Sequence, residues 1–236
     1  MTRDEAQRSI RPFYEVASVT GYVLSYSVKE IFYSLQGEGF HTGRPAVFCR
    51  FTGCNLWSGK EDDRRTAVCR FCDTDFVNTD GQLGGKYATA GDLVRQVAGL
   101  WPSAAKGTIK PFVVCTGGEP LLQLDTELAA AFHRENFFIA VETNGTILPP
   151  AGIDWLCVSP KAGAELLVRA GQELKMVFPQ AGIDPQQFTC LDFQHFFLQP
   201  LDGSDLAQNT KLAVEYVLAH PQWRLSLQMH KILNIK

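Results

Sequence analysis

The sequence lacks several features that would assign the chain to a particular class of protein. It has no run of basic residues and a net charge of −3, so we expect no sustained binding to nucleic acid or to an anionic membrane. No apolar stretch reaches transmembrane length, and residues 1–22 lack the hydrophobic core of a secretion signal. The seven cysteines are an odd number, which argues against a disulfide framework. We therefore expect a reduced, cytoplasmic protein.

What the sequence does contain is enough apolar material for a substantial core. The chain has 236 residues, of which 45% are hydrophobic, and this suits one domain of ordinary size. No internal repeat or interdomain linker is evident, so we predict a single domain over residues 22–236. Residues 1–21 carry mixed charge with little periodicity, and we predict that they form a loosely ordered extension.

Short apolar runs alternate with helical patterns along the chain. The runs predict strands at 23–32, 46–52, 111–115, 137–141, 155–158, 173–178, 196–198 and 223–227. The helical patterns cover 89–101, 124–134 and 205–218, and the polar stretch 55–80 predicts a long loop. Strands alternating with helices favour a mainly parallel sheet, but three helices are too few for a complete eightfold barrel. We predict an α/β fold, a partial barrel with a mainly parallel sheet and few helices.

Polar or glycine-rich clusters follow most of the predicted strands. They occupy residues 52–54, 116–120, 142–145, 159–161 and 199–202. In parallel α/β sheets the ligand site lies beyond the carboxyl ends of the strands. We therefore expect these five clusters to meet at one rim and to form a single large site.

Three cysteines, Cys54, Cys69 and Cys72, form a Cys-x14-Cys-x2-Cys array. Three thiolates can hold a cubic iron–sulfur cluster and leave one iron free to bind a small molecule, whereas a fourth thiolate from Cys49 would give a zinc site. Cys49 shares its strand face with core-type residues, so burial is expected for it, as for Cys115 and Cys157. Spacing alone leaves both metals open. The glycine-rich turn 116–120 favours the cluster, because a structural zinc site would leave that turn without a function. We assign Cys190 no role.

Further motifs carry a family resemblance. The sequence has a Gly-Gly-Glu-Pro turn at 117–120 and an aromatic residue, Phe71, before the last cysteine. Ordered matches run from Tyr22 to Ile235, at residues 33–39, 48–51, 69–75, 115–120, 142–145, 158–161, 198–202 and 227–231. Together they resemble the 7-carboxy-7-deazaguanine synthase family of the radical S-adenosylmethionine superfamily. The first cysteine gap departs from the usual Cys-x3-Cys-x2-Cys spacing of that superfamily.

The resemblance implies an activity and three cofactors. Cys54, Cys69 and Cys72 would hold a 4Fe-4S cluster, whose open iron binds S-adenosylmethionine. Reductive cleavage would give a 5′-deoxyadenosyl radical that takes a hydrogen atom from C6 of 6-carboxy-5,6,7,8-tetrahydropterin. Ring contraction and loss of ammonia would give 7-carboxy-7-deazaguanine, for queuosine or other 7-deazapurine biosynthesis. Thr74 would bind the third cofactor, Mg²⁺, because a hard cation prefers oxygen ligands such as a hydroxyl group. The alternative for Thr74 is capping of a turn.

The resemblance also implies site residues. Those expected to contact S-adenosylmethionine are Phe71, Asp73, Gly118, Glu119, Asn144, Ser159, Lys161, Gln199, Pro200, Leu201 and Asp202. Glu119 would accept a charge-assisted hydrogen bond from its amino group. Those expected to contact the pterin are Leu35, Gln36, Gly37, Glu38, Arg50, Thr116, Glu142 and His230. Carboxylates suit its N–H donors, and the Arg50 guanidinium suits its carboxylate. Arg50 could instead form a structural salt bridge, and His230 could be a core residue.

The resemblance implies partners as well. We expect a homodimer that accepts electrons from a donor such as a flavodoxin. The family commonly ends in proline near the substrate, whereas this sequence ends in Lys236. Two other hypotheses remain open at this point: a zinc-stapled binding module without catalysis, and a radical enzyme that activates another protein by installing a glycyl radical.

Overall fold

The structure is a computed structural model that describes residues 25–105 and 107–236. The predicted extension at 1–21 lies outside the described residues. In chain order the elements are β1 (Tyr26–Leu35), β2 (Pro45–Phe51), β3 (Gly85–Tyr87), α1 (Ala90–Leu100), β4 (Phe112–Gly117), α2 (Thr126–Arg134), β5 (Phe138–Thr143), β6 (Trp155–Val158), β7 (Ala170–Phe178), β8 (Asp192–Pro200), α3 (Leu206–Ala219), β9 (Trp223–Leu225) and α4 (Met229–Leu233).

All described strands belong to one nine-stranded sheet with the order β3-β1-β2-β4-β5-β6-β7-β8-β9. The pairings from β2 to β9 are parallel, and β1 pairs antiparallel with both β2 and β3. The sheet is not closed, because β3 and β9 remain its two edges. It nevertheless curls, since Glu30 on β1 and Gln199 on β8 line the same cavity. The predicted α/β partial barrel with a mainly parallel sheet is confirmed.

Helices cover the convex face of the sheet. Helix α1 begins at its N-cap Thr89, whose side chain accepts a hydrogen bond from the Asp92 amide, and α2 begins in the same way at Asp125. Leu93 and Val97 of α1, and Leu128 and Phe132 of α2, are fully buried in the core cluster. This packing leaves the concave face free to form the cavity. No helix of the described residues has the length and hydrophobicity that crossing a membrane requires.

The predicted elements are mostly found, with shifted ends. The residues 55–80 form a loop whose only regular element is a short 3-10 turn at Glu61–Asp63. Two elements were not predicted from the sequence: β3, which is three residues long, and α4, which is five residues long. Both are too short for a hydrophobic period to repeat.

Candidate active site

A cavity of about 440 Å³ lies on the concave face of the sheet. Its rim consists of the loops after the carboxyl ends of the strands, including the cysteine loop (residues 54–80). Its floor consists of inward-facing side chains of the strands. Every predicted site residue except Glu119 lines this cavity. The five polar clusters that follow the strands therefore lie together at one site.

The three predicted cluster ligands sit in the cysteine loop. Cys54 follows β2 after Thr52 and Gly53, and its sulfur accepts a hydrogen bond from the Leu56 amide at 3.5 Å. The guanidinium of Arg64 stacks over the Trp57 ring at 3.9 Å and donates to the Cys72 carbonyl oxygen at 3.0 Å. These contacts fix an otherwise irregular segment around Cys72.

The thiols differ in their electrostatics. A hydrogen bond from the Cys69 thiol lowers the pKa of Cys72 to about 6 and raises the pKa of Cys69. Burial raises the pKa of Cys54. The ammonium group of Lys161, which favours thiolates, lies near Cys69 and Cys72. A reactive or metal-binding cysteine is expected in such a setting, next to a cation and a second thiol.

Among residues 25–105 and 107–236, no group of three or more His, Cys, Asp or Glu side chains is arranged to hold one metal ion. Cys49, the candidate for a fourth zinc ligand, is fully buried beside Cys115 in the core and does not line the cavity.

The Gly-Gly-Glu-Pro turn packs against the start of the cysteine loop. A Cβ atom on Gly118 would lie 2.0 Å from the Gly53 carbonyl oxygen and 2.9 Å from the Cys54 Cβ. Gly117 has a φ of +133° and a similarly close approach to Phe51. Only glycine therefore allows the turn to lie this close to Cys54.

Glu119 lies behind the turn and is fully buried. Its carboxylate accepts hydrogen bonds from the Leu121 and Asn144 amides and from the Thr143 hydroxyl, at 3.0, 2.8 and 2.8 Å. Burial raises the pKa of this carboxyl group. In this structure Glu119 braces two strand ends against each other, and its contact with S-adenosylmethionine stays a prediction.

The remaining rim residues are tied to one another. The Lys161 ammonium donates to the backbone oxygen and to the hydroxyl of Ser159, both at 2.7 Å. The Asn144 side chain donates to Asn55 in the cysteine loop at 2.9 Å. Lys231 of α4, which sequence reasoning missed, contacts both Asp73 and Asp202 at 2.5 Å. It thus joins α4 to the cysteine loop and to the end of β8.

Thr74 lines the cavity directly after Cys72 and Asp73. The next residue, Asp75, forms a 2.7 Å ion pair with Lys29 of β1, which anchors this part of the loop. The predicted magnesium contact of Thr74 stays a prediction.

The floor holds three charged side chains, Lys175, Glu38 and Glu142, called here the floor triad. The Lys175 ammonium lies 2.5 Å from Glu38 and 3.7 Å from Glu142. Glu142 also accepts hydrogen bonds from Thr116 at 2.8 Å and from Gln36 at 3.1 Å. Two carboxylates that were predicted to bind the pterin are thus side by side.

A second charged group lies on β1 and β2. The Arg50 guanidinium is 3.0 Å from Glu30, and its carbon lies 5.8 Å from the centre of the Phe32 ring. The Lys236 ammonium contacts the same carboxylate at 2.5 Å and also lies over Phe32. The salt bridge that was the alternative for Arg50 exists, and Lys236 also takes part in it.

The connection between β1 and β2, residues 36–44, closes the amino ends of the strands and is called here the plug loop. Its Gly39 amide donates to Ser226 at 2.9 Å, and its Phe40 ring stacks on His195 at 4.4 Å. A Cβ atom on Gly37 would lie 2.3 Å from a ring nitrogen of His230. The plug loop thereby carries Gln36 and Glu38 to the floor and places His230 beside them.

Sequence reasoning missed Lys175, Gln228 and Lys231. The signal for Lys175 was present, because β7 is an apolar strand interrupted by Glu173 and Lys175, and a buried strand rarely carries charge without a partner. Gln228 donates to Glu38 at 3.0 Å. Its role depends on a contact between residues 190 positions apart, which no local pattern indicates.

Comparison with known proteins gives named relatives. The 7-carboxy-7-deazaguanine synthase of Caulobacter vibrioides is 61% identical over 212 residues, covering 90% of this chain and 100% of that protein. The protein of the same name from Bacteroides thetaiotaomicron is 40% identical over 89% of this chain and 98% of its own length. No protein-family model matches the chain.

A solved structure is also similar. The crystal structure of QueE from Escherichia coli superposes with a TM-score of 0.63 and 27% identity, covering 88% of this chain and 96% of that chain.

Proposed function

The chain belongs to the 7-carboxy-7-deazaguanine synthase family and is an enzyme of that type, and we propose that it converts 6-carboxy-5,6,7,8-tetrahydropterin to 7-carboxy-7-deazaguanine. The observation that carries this proposal is one cavity with three cysteines at its rim and opposed charges on its floor. Neither a zinc-stapled module nor a protein-activating enzyme requires that combination.

The rim residues fit the two cofactors of a radical enzyme. Cys54, Cys69 and Cys72 would hold a 4Fe-4S cluster, and the Gly118 backbone, pressed against Cys54, would bind S-adenosylmethionine beside it. When bound, these cofactors would supply a carbon-centred radical that removes a hydrogen atom from the substrate. Asp73, Ser159, Lys161 and residues 199–202 would orient the nucleoside and the methionine group.

The floor residues fit the substrate. The carboxylates of Glu38 and Glu142 can each accept N–H groups from the guanine-like edge of a pterin. Arg50 and Lys236 both contact the Glu30 carboxylate. The Arg50 guanidinium can in addition bind the carboxylate of the substrate. The two interactions together would fix both ends of the pterin and aim C6 at the rim.

The chain's own part in the reaction is to bind, orient and exclude water. The plug loop covers the amino end of the partial barrel, where Phe40 and His41 pack on Trp155. Thr74 would help to hold a magnesium ion whose remaining ligands are water and substrate oxygens. His230 and Thr116 would add polar contacts to the substrate.

The proposal also covers the location, the oligomeric state and the electron donor of the enzyme. We place the enzyme in the cytoplasm as a homodimer that receives electrons from a flavodoxin-like donor. Its product would enter queuosine or another 7-deazapurine pathway.

The test is anaerobic incubation with the tetrahydropterin, S-adenosylmethionine, Mg²⁺ and a reductant. We expect a product with the mass of 7-carboxy-7-deazaguanine and release of 5′-deoxyadenosine. If no deazapurine forms and turnover of S-adenosylmethionine to 5′-deoxyadenosine requires a protein partner, the glycyl-radical hypothesis would be favoured. A colourless protein with one tightly held zinc would contradict the proposal altogether.

A further inference from the structure

The floor triad contains a lysine that the proposed function does not use. Lys175 lies in the middle of β7, and its side chain is 8% exposed. Its ammonium group lies between a carboxylate of the plug loop, Glu38, and a carboxylate of β5, Glu142. A buried lysine is costly unless it is paired, and here the partners are the two side chains expected to receive the pterin.

The charges around Lys175 shift the pKa values of Lys175 and Glu38. Burial opposes the charge of Lys175, but the two carboxylates raise the pKa of its ammonium group. Burial likewise opposes ionisation of Glu38, but Lys175 more than offsets this and lowers the pKa of Glu38 to about 2. The other titratable or charged groups that face the triad are Cys157, Lys161, Glu173 and His230.

The geometry leaves both carboxylates ready to accept further hydrogen bonds. Glu38 is held by Lys175 on one oxygen and by Gln228 on the other. Glu142 is held by Gln36 on one oxygen and by Thr116 on the other. Each carboxylate oxygen accepts more than one hydrogen bond, so positions remain for the N–H groups of a ligand.

Resting on the proposed function, we infer that Lys175 is a positioning residue for the pterin: its ammonium group, which contacts Glu38 and lies near Glu142, holds the two carboxylates side by side, so that both accept N–H groups of the substrate. Without that cation, two carboxylates would share a poorly solvated floor, and one of them would take up a proton. A protonated carboxyl group can no longer accept hydrogen bonds at both oxygens.

The test measures the affinity of purified protein for 6-carboxypterin, the stable aromatic analogue of the substrate, by quenching of pterin fluorescence from pH 6 to 9. At each pH the Kd of Lys175→Met is divided by the Kd of the wild type. Titration of the ligand affects both proteins alike and therefore cancels in this ratio. We expect a ratio of about 30 at pH 6, the range for a lost hydrogen bond to a charged group. The ratio should fall towards about 3 at pH 9, where the carboxylate ionises again.

Two further variants test whether the positive charge of Lys175 is responsible for the effect. Lys175→Arg keeps a cation, and its ratio should stay below about 5 with little dependence on pH. The double variant Glu38→Gln, Lys175→Met removes the buried pair together and should fold even where the single variant does not. Its ratio should exceed 1 but stay constant with pH, because the amide introduced at position 38 does not titrate.

The control is Lys211→Met. Lys211 forms a 3.9 Å ion pair with Glu215 on α3 and is not among the residues that line the cavity. Its Kd ratio should stay near 1 at every pH.

A folded Lys175→Met protein with a pH-independent ratio near 1, or with only a lowered thermal midpoint, would overturn the inference and leave Lys175 a structural residue. This result differs from failure of the proposed function, in which the wild type itself neither binds 6-carboxypterin nor forms the deazapurine.

Discussion

The rim and the floor of the cavity hold their functional groups in different ways. At the rim, Cys54, Cys69 and Cys72 lie on an irregular loop shaped by backbone contacts and by Gly53 and Gly117, which have φ values of +83° and +133°. On the floor, Glu38, Glu142 and Lys175 come from three separate segments, and two of them lie on regular strands. The three rim cysteines are close together in the sequence, whereas the three charged side chains of the floor are far apart in the sequence.

The difference affects how each part responds to substitution. A rim thiol of the proposed site would act through one bond to a cofactor, so removing it should abolish a function while the sheet stays folded. A floor residue acts through neighbours that are buried with it, so removing it should change affinity and pH dependence together.

The most severe change is removal of a rim thiol. Cys54→Ala, Cys69→Ala and Cys72→Ala should each abolish product formation, because a cubic cluster then has only two protein ligands. Iron and sulfide analysis of anaerobically reconstituted protein checks this. The control is Cys49→Ala, which lies in the core and should keep the cluster at a cost of about 1 kcal/mol of stability. A cluster lost equally in Cys49→Ala would contradict the three-ligand assignment.

On the floor side, Arg50→Gln should weaken binding of 6-carboxypterin about 10- to 100-fold by removing a charge-assisted contact. Binding of unsubstituted pterin, which has no carboxylate, should change little. Arg44→Gln is the control, because Arg44 lies over the Phe112 ring at 4.0 Å and outside the residues lining the cavity. Equal losses for both ligands would show that Arg50 acts only through its salt bridge with Glu30.

A smaller effect is expected at the junction of the two parts. Thr74→Ala should keep the cluster and S-adenosylmethionine binding but lower turnover at saturating Mg²⁺ roughly 10-fold. Turnover measured against Mg²⁺ concentration tests this. Thr66→Ala removes a hydroxyl that bonds only to the Asp63 carbonyl oxygen in the same loop, and should respond to Mg²⁺ as the wild type does. An unchanged magnesium response in Thr74→Ala would remove its metal role.

The smallest effect concerns the plug loop beneath the floor. Burial, with help from Arg44 and His195, lowers the pKa of His41 to about 4. A histidine whose pKa is lower in the folded state stabilises the fold above its unfolded pKa of about 6.5, and that contribution disappears as the pH falls towards 4. His41→Phe should therefore flatten the decline of Tm between pH 6.5 and 4, by about 1 kcal/mol in stability. Parallel Tm curves for variant and wild type would exclude this role.

Much of the rim could be predicted from the sequence because its chemistry is local. The Cys69–Cys72 pair is a short motif within one loop. The two glycines before Glu119 and the Ser-Pro-Lys at 159–161 are contiguous, and each follows a strand whose apolar pattern is visible. The parallel order of those strands then brings the clusters to one edge. The burial of Glu119 was not predicted, since a turn sequence does not reveal which way its carboxylate points.

The sequence by itself determined eight of the nine described strands, the order of the functional motifs and the family, because apolar periodicity and contiguous motifs are properties of neighbouring residues. Only the tertiary structure decided that Lys175 lies between Glu38 and Glu142, that Lys231 joins Asp73 to Asp202, and that Lys236 shares Glu30 with Arg50. These pairings depend on how the sheet curls and on where the plug loop crosses it. The physical reason is that a buried charge is stable only beside its partner, and in this fold the partners lie many residues apart.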